Sequence, residues 1–272
     1  MGTTKLSLSP LKGHERNTSK NNMPDWSRPG STMTLQPTAW LQGGGNKCAT
    51  GANIAIRLLK ERTTIGTWNI CSLHACGKVQ ELTHELKCYW WDILGLADVR
   101  WTSFGETNHG WGTQYRYCRE DSKQQYGVAV IVQREVAGSS IGCTPISSRL
   151  ISIRISARPH NITVIQIFAP TPDHEDEEVK HFWEQPDSII AQTPKKHMLA
   201  IQGDWNAKVC AHTYQHWAGT VGKSGIGEAN DRGWRLLEFA KRYWLCLANT
   251  LYPTSCLGQQ PGIPLVGRST TR

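Results

Sequence analysis

The run Ile201-Gln202-Gly203-Asp204-Trp205-Asn206-Ala207-Lys208 decides how this chain is read. An apolar stretch from His197 reaches a glycine at Gly203, and a carboxylate and an amide then follow two positions apart. In extended backbone, residues i and i+2 share a face, so Asp204 and Asn206 project together from the end of a strand. Such a pair can orient a water molecule and hydrogen-bond a phosphate oxygen, the parts needed to hydrolyse a phosphoester. The same residues also suit an Asx turn, in which the side chains bond their own backbone. The segment alone leaves both readings open.

Two segments upstream end in the same way. Thr63 to Asn69 reads as a strand of β-branched residues closing on a polar Asn69. Asp92 to Asp98 is an apolar run between carboxylates, which suits a buried strand delivering Asp98 at its end, with Arg100 and Trp101 just beyond. Gly127 to Gln133, Leu150 to Ala157 and Asn161 to Phe168 read as three more strands. In the second of these, Ile151, Ile153 and Ile155 alternate with Ser152, Arg154 and Ser156, predicting one wet face.

Helical spacing recurs between the strands. Val79, Leu82, Leu86 and Tyr89 predict a helix within 77–89. Thr171-Pro172 followed by Asp173, Glu175, Asp176, Glu177 and Glu178 has the form of a helix start, and Pro186 is expected to end or kink that helix. Asn230 to Trp244 is amphipathic, with Leu236, Leu237, Phe239, Ala240, Tyr243 and Trp244 expected on the inner face, and Leu245 to Ala248 starts a further strand. The sum is an α/β sandwich of two β-sheets with helices packed outside.

Composition bounds the rest. The 272 residues include twelve Trp and 39% hydrophobic residues, enough for a sizeable core, so wholesale disorder is excluded. The net charge is +8, but residues 1–60 hold eight Lys and Arg against Glu15 and Asp25, while the remaining residues hold 22 against 20. The basicity is concentrated in a Gly-, Ser- and Asn-rich leader, and the nearly neutral body gives little electrostatic argument for nucleic acid. The expected organisation is a disordered leader over 1–60, a domain over 61–250 and an irregular tail over 251–272. No stretch approaches the ~20 apolar residues of a membrane helix and the start has no apolar signal core, so the expected setting is intracellular, nuclear or cytoplasmic, with no membrane partner. Nine cysteines without a C-x-x-C pair fit a reducing compartment.

The order TIGTWNI (64–70), DILGLADVRWT (92–102), YGVAVIV (126–132), NITVIQIFAPT (161–171) and IQGDWNAKV (201–209) resembles the endonuclease/exonuclease/phosphatase superfamily. Within it the chain is most similar to the apurinic-type endonuclease branch of LINE retrotransposons and the related craniofacial development protein 2 group. The resemblance implies a four-layered α/β sandwich of two packed mixed sheets with outer helices. It also implies a Mg²⁺-dependent phosphodiester hydrolase acting on DNA. In that reading Asn69 and Asp98 hold the metal, Asn69 also meets the substrate phosphate, Asp204 orients or deprotonates the attacking water, and Asn206 binds a phosphate oxygen. Trp205 and Arg100 are candidates for substrate contact, and Trp68 and Trp101 flank the same motifs; for each indole, core packing is the competing account.

Three departures from the family pattern are expected to weaken or abolish catalysis. The metal-binding Glu of the family is Asp98 here, shorter by one methylene, or about 1.5 Å of reach. The catalytic Tyr is Phe168, which keeps the ring and loses the hydroxyl. Beyond Asn249-Thr250 the sequence reads LYPTSCLGQQPGIPLVGRSTTR, without the family's terminal Asp-containing and Asp-His blocks. This has the look of a shifted reading frame, with C-terminal strands missing and a sheet edge left unpaired, and a cost in rate of about 10³-fold or more. The competing reading is a non-catalytic remnant that keeps the fold or nucleic-acid binding. Other patterns carry less: Cys71-x₂-His74-x-Cys76 with His84-x₃-Cys88 fits loop and core thiols better than zinc. Gly222 to Gly227 lacks the spacing of a phosphate loop, so no nucleotide cofactor is expected.

Overall fold

The computed structural model describes residues 6–8, 32–35, 63–87, 89, 91–101, 105–109, 112–117, 126–224, 228–251 and 266–268. In chain order the elements are β1 (Leu6–Leu8), β2 (Thr32–Leu35), β3 (Thr63–Asn69), α1 (Lys78–Leu86), β4 (Ile93–Ala97), β5 (Gly105–His109), β6 (Gly112–Tyr117) and β7 (Val128–Gln133). There follow α2 (Arg134–Ala137), β8 (Ser140–Ser147), β9 (Leu150–Ile155), β10 (Ile162–Phe168), α3 (Asp176–Gln192), β11 (Met198–Asp204), α4 (Asp231–Arg242), β12 (Cys246–Leu247) and β13 (Val266–Arg268). One sheet runs β1-β2-β3-β4-β7-β6-β5 and the other β12-β13-β11-β10-β9-β8.

Both sheets are mixed, and each has one parallel pair: β3 with β4, and β10 with β11. Residues that alternate along these strands divide between two surfaces. Ile65, Ile93, Val128, Val130 and Val132 of the first sheet meet Ile151, Ile153, Ile155 and Val164 of the second in the layer between them. Leu94, Leu96, Ala129 and Ile131 turn the other way, onto Leu82 and Leu86 of α1. On the far side, Ile165, Ile167, Leu199 and Ile201 pack against Phe182 and Ile190 of α3 and Leu236, Leu237 and Phe239 of α4. The result is helix, sheet, sheet, helix, the four-layered α/β sandwich that the sequence predicts.

One polar layer crosses the apolar seam. Thr67 Oγ1 donates to Gln166 Oε1 at 3.2 Å, and Gly95 lies opposite, where a Cβ would run into Gln166 and Gln202. Gly95 is therefore the residue that lets two long buried amides sit between the sheets.

Several expectations need correction. α3 begins at Asp176, after the predicted first turn, and runs through Pro186 to Gln192. The hydrogen bond lost at Pro186 costs about 3 kcal/mol in an isolated helix. Here Val179, Phe182, Pro186 and Ile190, spaced three and four apart, are all buried along one stripe that holds the helix together. Trp244, expected on the inner face of α4, follows the helix in a left-handed conformation (φ 56°) and is 83% exposed. On β9 only Arg154 is exposed; Ser152 is buried between Thr144 and Ile165 on the neighbouring strands. Strands β5, β6 and β8 were absent from the sequence reading. Within residues 1–60, β1 and β2 extend the first sheet antiparallel from β3. In the tail, β13 pairs with both β11 and β12, so that edge is occupied where an unpaired one was expected. The rest of the leader and tail lies outside the described residues.

Candidate active site

The carboxyl ends of the two parallel pairs lie at the same end of the sandwich. Asn69 closes β3, Asp98 follows β4, and Phe168 and Asp204 close β10 and β11 as register partners. The sheets meet here through one short contact: the Asn69 Nδ2 donates to Asp204 Oδ2 at 2.7 Å. The other carboxylate oxygen, Oδ1, accepts from the backbone N–H of Asn206 at 2.9 Å, so the Asx turn weighed from sequence is present within the site and does not compete with it. Asn206 adopts φ 48°, and its Nδ2 donates to the Ala169 carbonyl at 2.7 Å, tying the loop after β11 to the loop after β10.

The glycine that begins this segment has a specific task. Gly203 has φ 130°, and a Cβ there would strike the Ile167 carbonyl oxygen on the neighbouring strand. The chain can turn Asp204 toward the seam only because position 203 has no side chain.

Asp98 is buried and has φ 56°; Arg100 has φ 59° and a half-exposed side chain. The two form a forked pair, Arg100 Nε to Asp98 Oδ1 and Nη2 to Oδ2, both at 2.9 Å. The backbone is fixed around them: Ser72 N donates to Asp98 O, Val99 N to Gly127 O and Arg100 N to Tyr126 O. Left-handed non-glycine residues are uncommon and cost about 1 kcal/mol or more each. Among the described residues seven adopt such a φ, and six of them, Cys71, Ser72, Asp98, Arg100, Tyr126 and Asn206, lie on these strand-end loops.

The electrostatics follow from the crowding. Burial pushes the Asp204 carboxyl above its ordinary value; the Asn206 N–H and the Asn69 amide oppose the rise, and the nearby Asp98 charge adds to it. The Cys71 thiol is also raised, first by desolvation and then by Asp98, with Arg100 opposing and Asp204 adding. Its N–H donates to Asn69 Oδ1 at 3.1 Å, which orients the amide toward Asp204.

The remaining sequence candidates divide clearly. Phe168 is buried at the end of β10, with its ring 6.2 Å from that of Tyr126. Trp205, a candidate for stacking on a base, has no exposed surface: its indole packs among Trp183 and Phe239, on the α3/α4 side of the second sheet. A side chain at i+1 of a strand end points away from its neighbours at i and i+2, so Trp205 is core while Asp204 and Asn206 are site. Trp68 is likewise buried beside α1, and the Trp101 Nε1 donates to the Leu73 carbonyl at 3.2 Å.

Sequence reasoning missed a polar cluster beside Phe168. The buried Arg149 guanidinium lies 3.7 Å from the Tyr126 ring centroid and donates to Glu178 Oε1 at 2.7 Å and to the Phe168 carbonyl at 3.2 Å. The His174 Nε2 is 2.9 Å from the Tyr126 hydroxyl and 3.0 Å from Arg149 Nη2, and its Nδ1 is 2.8 Å from Thr171 Oγ1. With the proton on Nδ1, the Nε2 accepts from both neighbours. The only signal in the sequence was position: Tyr126 opens one of the five blocks, Arg149 precedes β9, and His174 stands within the acidic run.

As arranged, these side chains fit a divalent cation poorly, because the Arg100 guanidinium already balances the Asp98 charge and the other oxygens are each tied to a neighbour. Both oxygens of Asp98 accept from Arg100, Asn69 Oδ1 accepts from Cys71, and Asp204 is bonded at both oxygens. No group of three His, Cys, Asp or Glu that could hold a metal occurs among the described residues.

No protein-family model matches the chain. Several solved structures align with it over more than half its length. The endonuclease domain of TRAS1, a telomere-specific non-LTR retrotransposon, aligns with TM-score 0.45 and 16% identity over 75% of this chain and 84% of that one. The AP endonuclease LMAP from Leishmania major aligns with TM-score 0.47 and 11% identity over 75% and 78%. An endonuclease/exonuclease/phosphatase family protein from Leptotrichia buccalis aligns with TM-score 0.36 and 15% identity over 63% and 84%. Among curated proteins, craniofacial development protein 2 of Tragulus javanicus is 41% identical over 197 residues, 72% of this chain and 33% of that protein. The Bos taurus protein of the same name is 40% identical over 202 residues, 74% and 33%. Over these residues the chain is a homologue of proteins named craniofacial development protein 2. It spans about one third of the length of those relatives.

Proposed function

We propose that this domain is a phosphodiester hydrolase of the endonuclease/exonuclease/phosphatase type, directed at DNA, with Asp204 as the group that orients the attacking water. The observation that carries the reading is the 2.7 Å bond from Asn69 to Asp204. It fixes a desolvated carboxylate at the seam of the two sheets. Each Asp204 oxygen accepts one hydrogen bond and keeps lone-pair capacity for a water proton. Its raised proton affinity makes it a better base than an exposed aspartate. Asn206 spends one Nδ2–H on Ala169 and has a second for a phosphate oxygen. Arg100 spends Nε and Nη2 on Asp98, and its remaining N–H groups suit an anion. The family resemblance implies a divalent cation, whereas in this chain Asp98 is engaged by Arg100.

That engagement favours a second reading, a non-catalytic domain that recognises nucleic acid without cutting it. The loss of a hydroxyl at Phe168 points the same way. Nicking of supercoiled plasmid by the full chain and by Asp204→Ala, with DNA binding measured in parallel, separates the two. Nicking that Asp204→Ala abolishes supports the hydrolase; equal rates with binding retained by both support the recognition domain.

A further inference from the structure

We propose that Arg100 is the built-in cation of the Asp98 position and competes there with any divalent ion. The pairing is not a loose surface contact. Asp98 is 6% exposed, and both of its oxygens are held at 2.9 Å by one planar guanidinium, the geometry in which arginine binds a carboxylate most specifically. The backbone is shaped to produce the pair. Left-handed conformations at Asp98 and Arg100 flank a fully buried Val99, and this turn brings two side chains that are two residues apart face to face. The turn is held by two flanking segments, through Ser72 and Leu73 on one side and Tyr126 and Gly127 on the other, so strain at both positions is maintained by the fold.

The consequence is an exchange. A hard dication requires carboxylate oxygens, and Asp98 is the buried carboxylate beside Asp204. To hold a dication, Asp98 must either share its oxygens with the Arg100 guanidinium, at the cost of like-charge repulsion a few ångströms away, or release it. Arg100 can leave, because its side chain is 48% exposed and its head can enter water without crossing the core. The pair therefore lowers the affinity of the site for divalent ions, while an anion that draws Arg100 away raises it; linkage makes the two effects reciprocal.

The test reads metal binding directly, with no DNA present, so it stands or falls independently of plasmid nicking. Free Mn²⁺ is followed by its electron paramagnetic resonance signal during titration with the full chain, Arg100→Gln, Asp98→Asn and the double variant. Arg100→Gln is expected to bind Mn²⁺ roughly tenfold more tightly than the wild type, equivalent to about 1.4 kcal/mol, and Asp98→Asn is expected to abolish that gain. Unchanged or weaker binding by Arg100→Gln overturns the proposal, as does a gain that persists in the Asp98→Asn background. Circular dichroism checks folding. Should Arg100→Gln unfold, Arg100→Lys decides: an ammonium cannot bridge both oxygens in the same fork, so a gain of about threefold is expected, and wild-type affinity refutes the competition.

Discussion

Replacing Asn69 with alanine removes the one side-chain bond that joins the ends of β3 and β11, leaving the Asp204 carboxylate with a single donor, the Asn206 N–H. Hydrogen bonds to charged groups contribute about 1.5–3 kcal/mol. Both partners are half-buried, and water can replace part of what is lost, so the lower end applies. A double-mutant cycle over Asn69→Ala and Asp204→Ala is expected to give a coupling of about 1.5 kcal/mol near neutral pH. The same bond governs titration: it opposes the rise that burial imposes on the Asp204 carboxyl, which should therefore rise further in Asn69→Ala. Urea unfolding followed by tryptophan fluorescence measures the cycle, and the carboxyl carbon resonance of Asp204 measures the titration. A coupling within about 0.5 kcal/mol of zero, with an unmoved resonance, would mean that the two side chains do not interact and that the site is not assembled as described.

Two further outcomes follow from the same geometry. Gly203→Ala should destabilise the domain by about 3 kcal/mol or more, since its Cβ has no place beside the Ile167 carbonyl and its φ disfavours any side chain; a thermal midpoint unchanged from wild type contradicts this. Because the folded-state pKa of Asp204 is raised above 3.8, the native state binds the proton more tightly than the unfolded chain, and this group's contribution to stability is lost as pH rises through the folded value. The stability of Asp204→Asn relative to wild type should therefore increase from about pH 3 to about pH 7, and a decrease over that range in paired urea melts would reverse the assigned sign.

What the sequence showed and what it hid have physical causes. Strands β3, β4, β7, β9, β10 and β11 were legible because fully or half-buried strands need long β-branched or alternating runs, and Asn69, Asp98 and Asp204 end three of those runs with a polar group. Strands β5 and β6 carry Gly-Glu-Thr-Asn-His and Gly-Thr-Gln-Tyr-Arg-Tyr, sequences with little apolar content that pair as a hairpin at the end of the sheet. The helix does not end at Pro186 because a helix-breaking preference is local, whereas the buried stripe that carries the chain past it is tertiary. Asn69, Asp98 and Asp204 could be placed at strand ends from the sequence, but the Asp98–Arg100 fork could not, since it depends on two left-handed residues that no propensity forecasts. Trp205 shows the reverse: its position within the motif suggested contact with a ligand, and strand alternation alone was enough to send it into the core.

The bond between Asn69 and Asp204 spans 135 residues of chain, and the Thr67–Gln166 bond just beneath it spans 99. Contacts at such separation are among the last that a chain can close, because the loop entropy must be met before they contribute. During synthesis from the amino terminus, the first sheet can gather its own parallel pair long before the residue that completes the site has been made. The two strand ends come together only once both sheets exist, so a pause in translation after β7 leaves Asn69 without the carboxylate to which it donates.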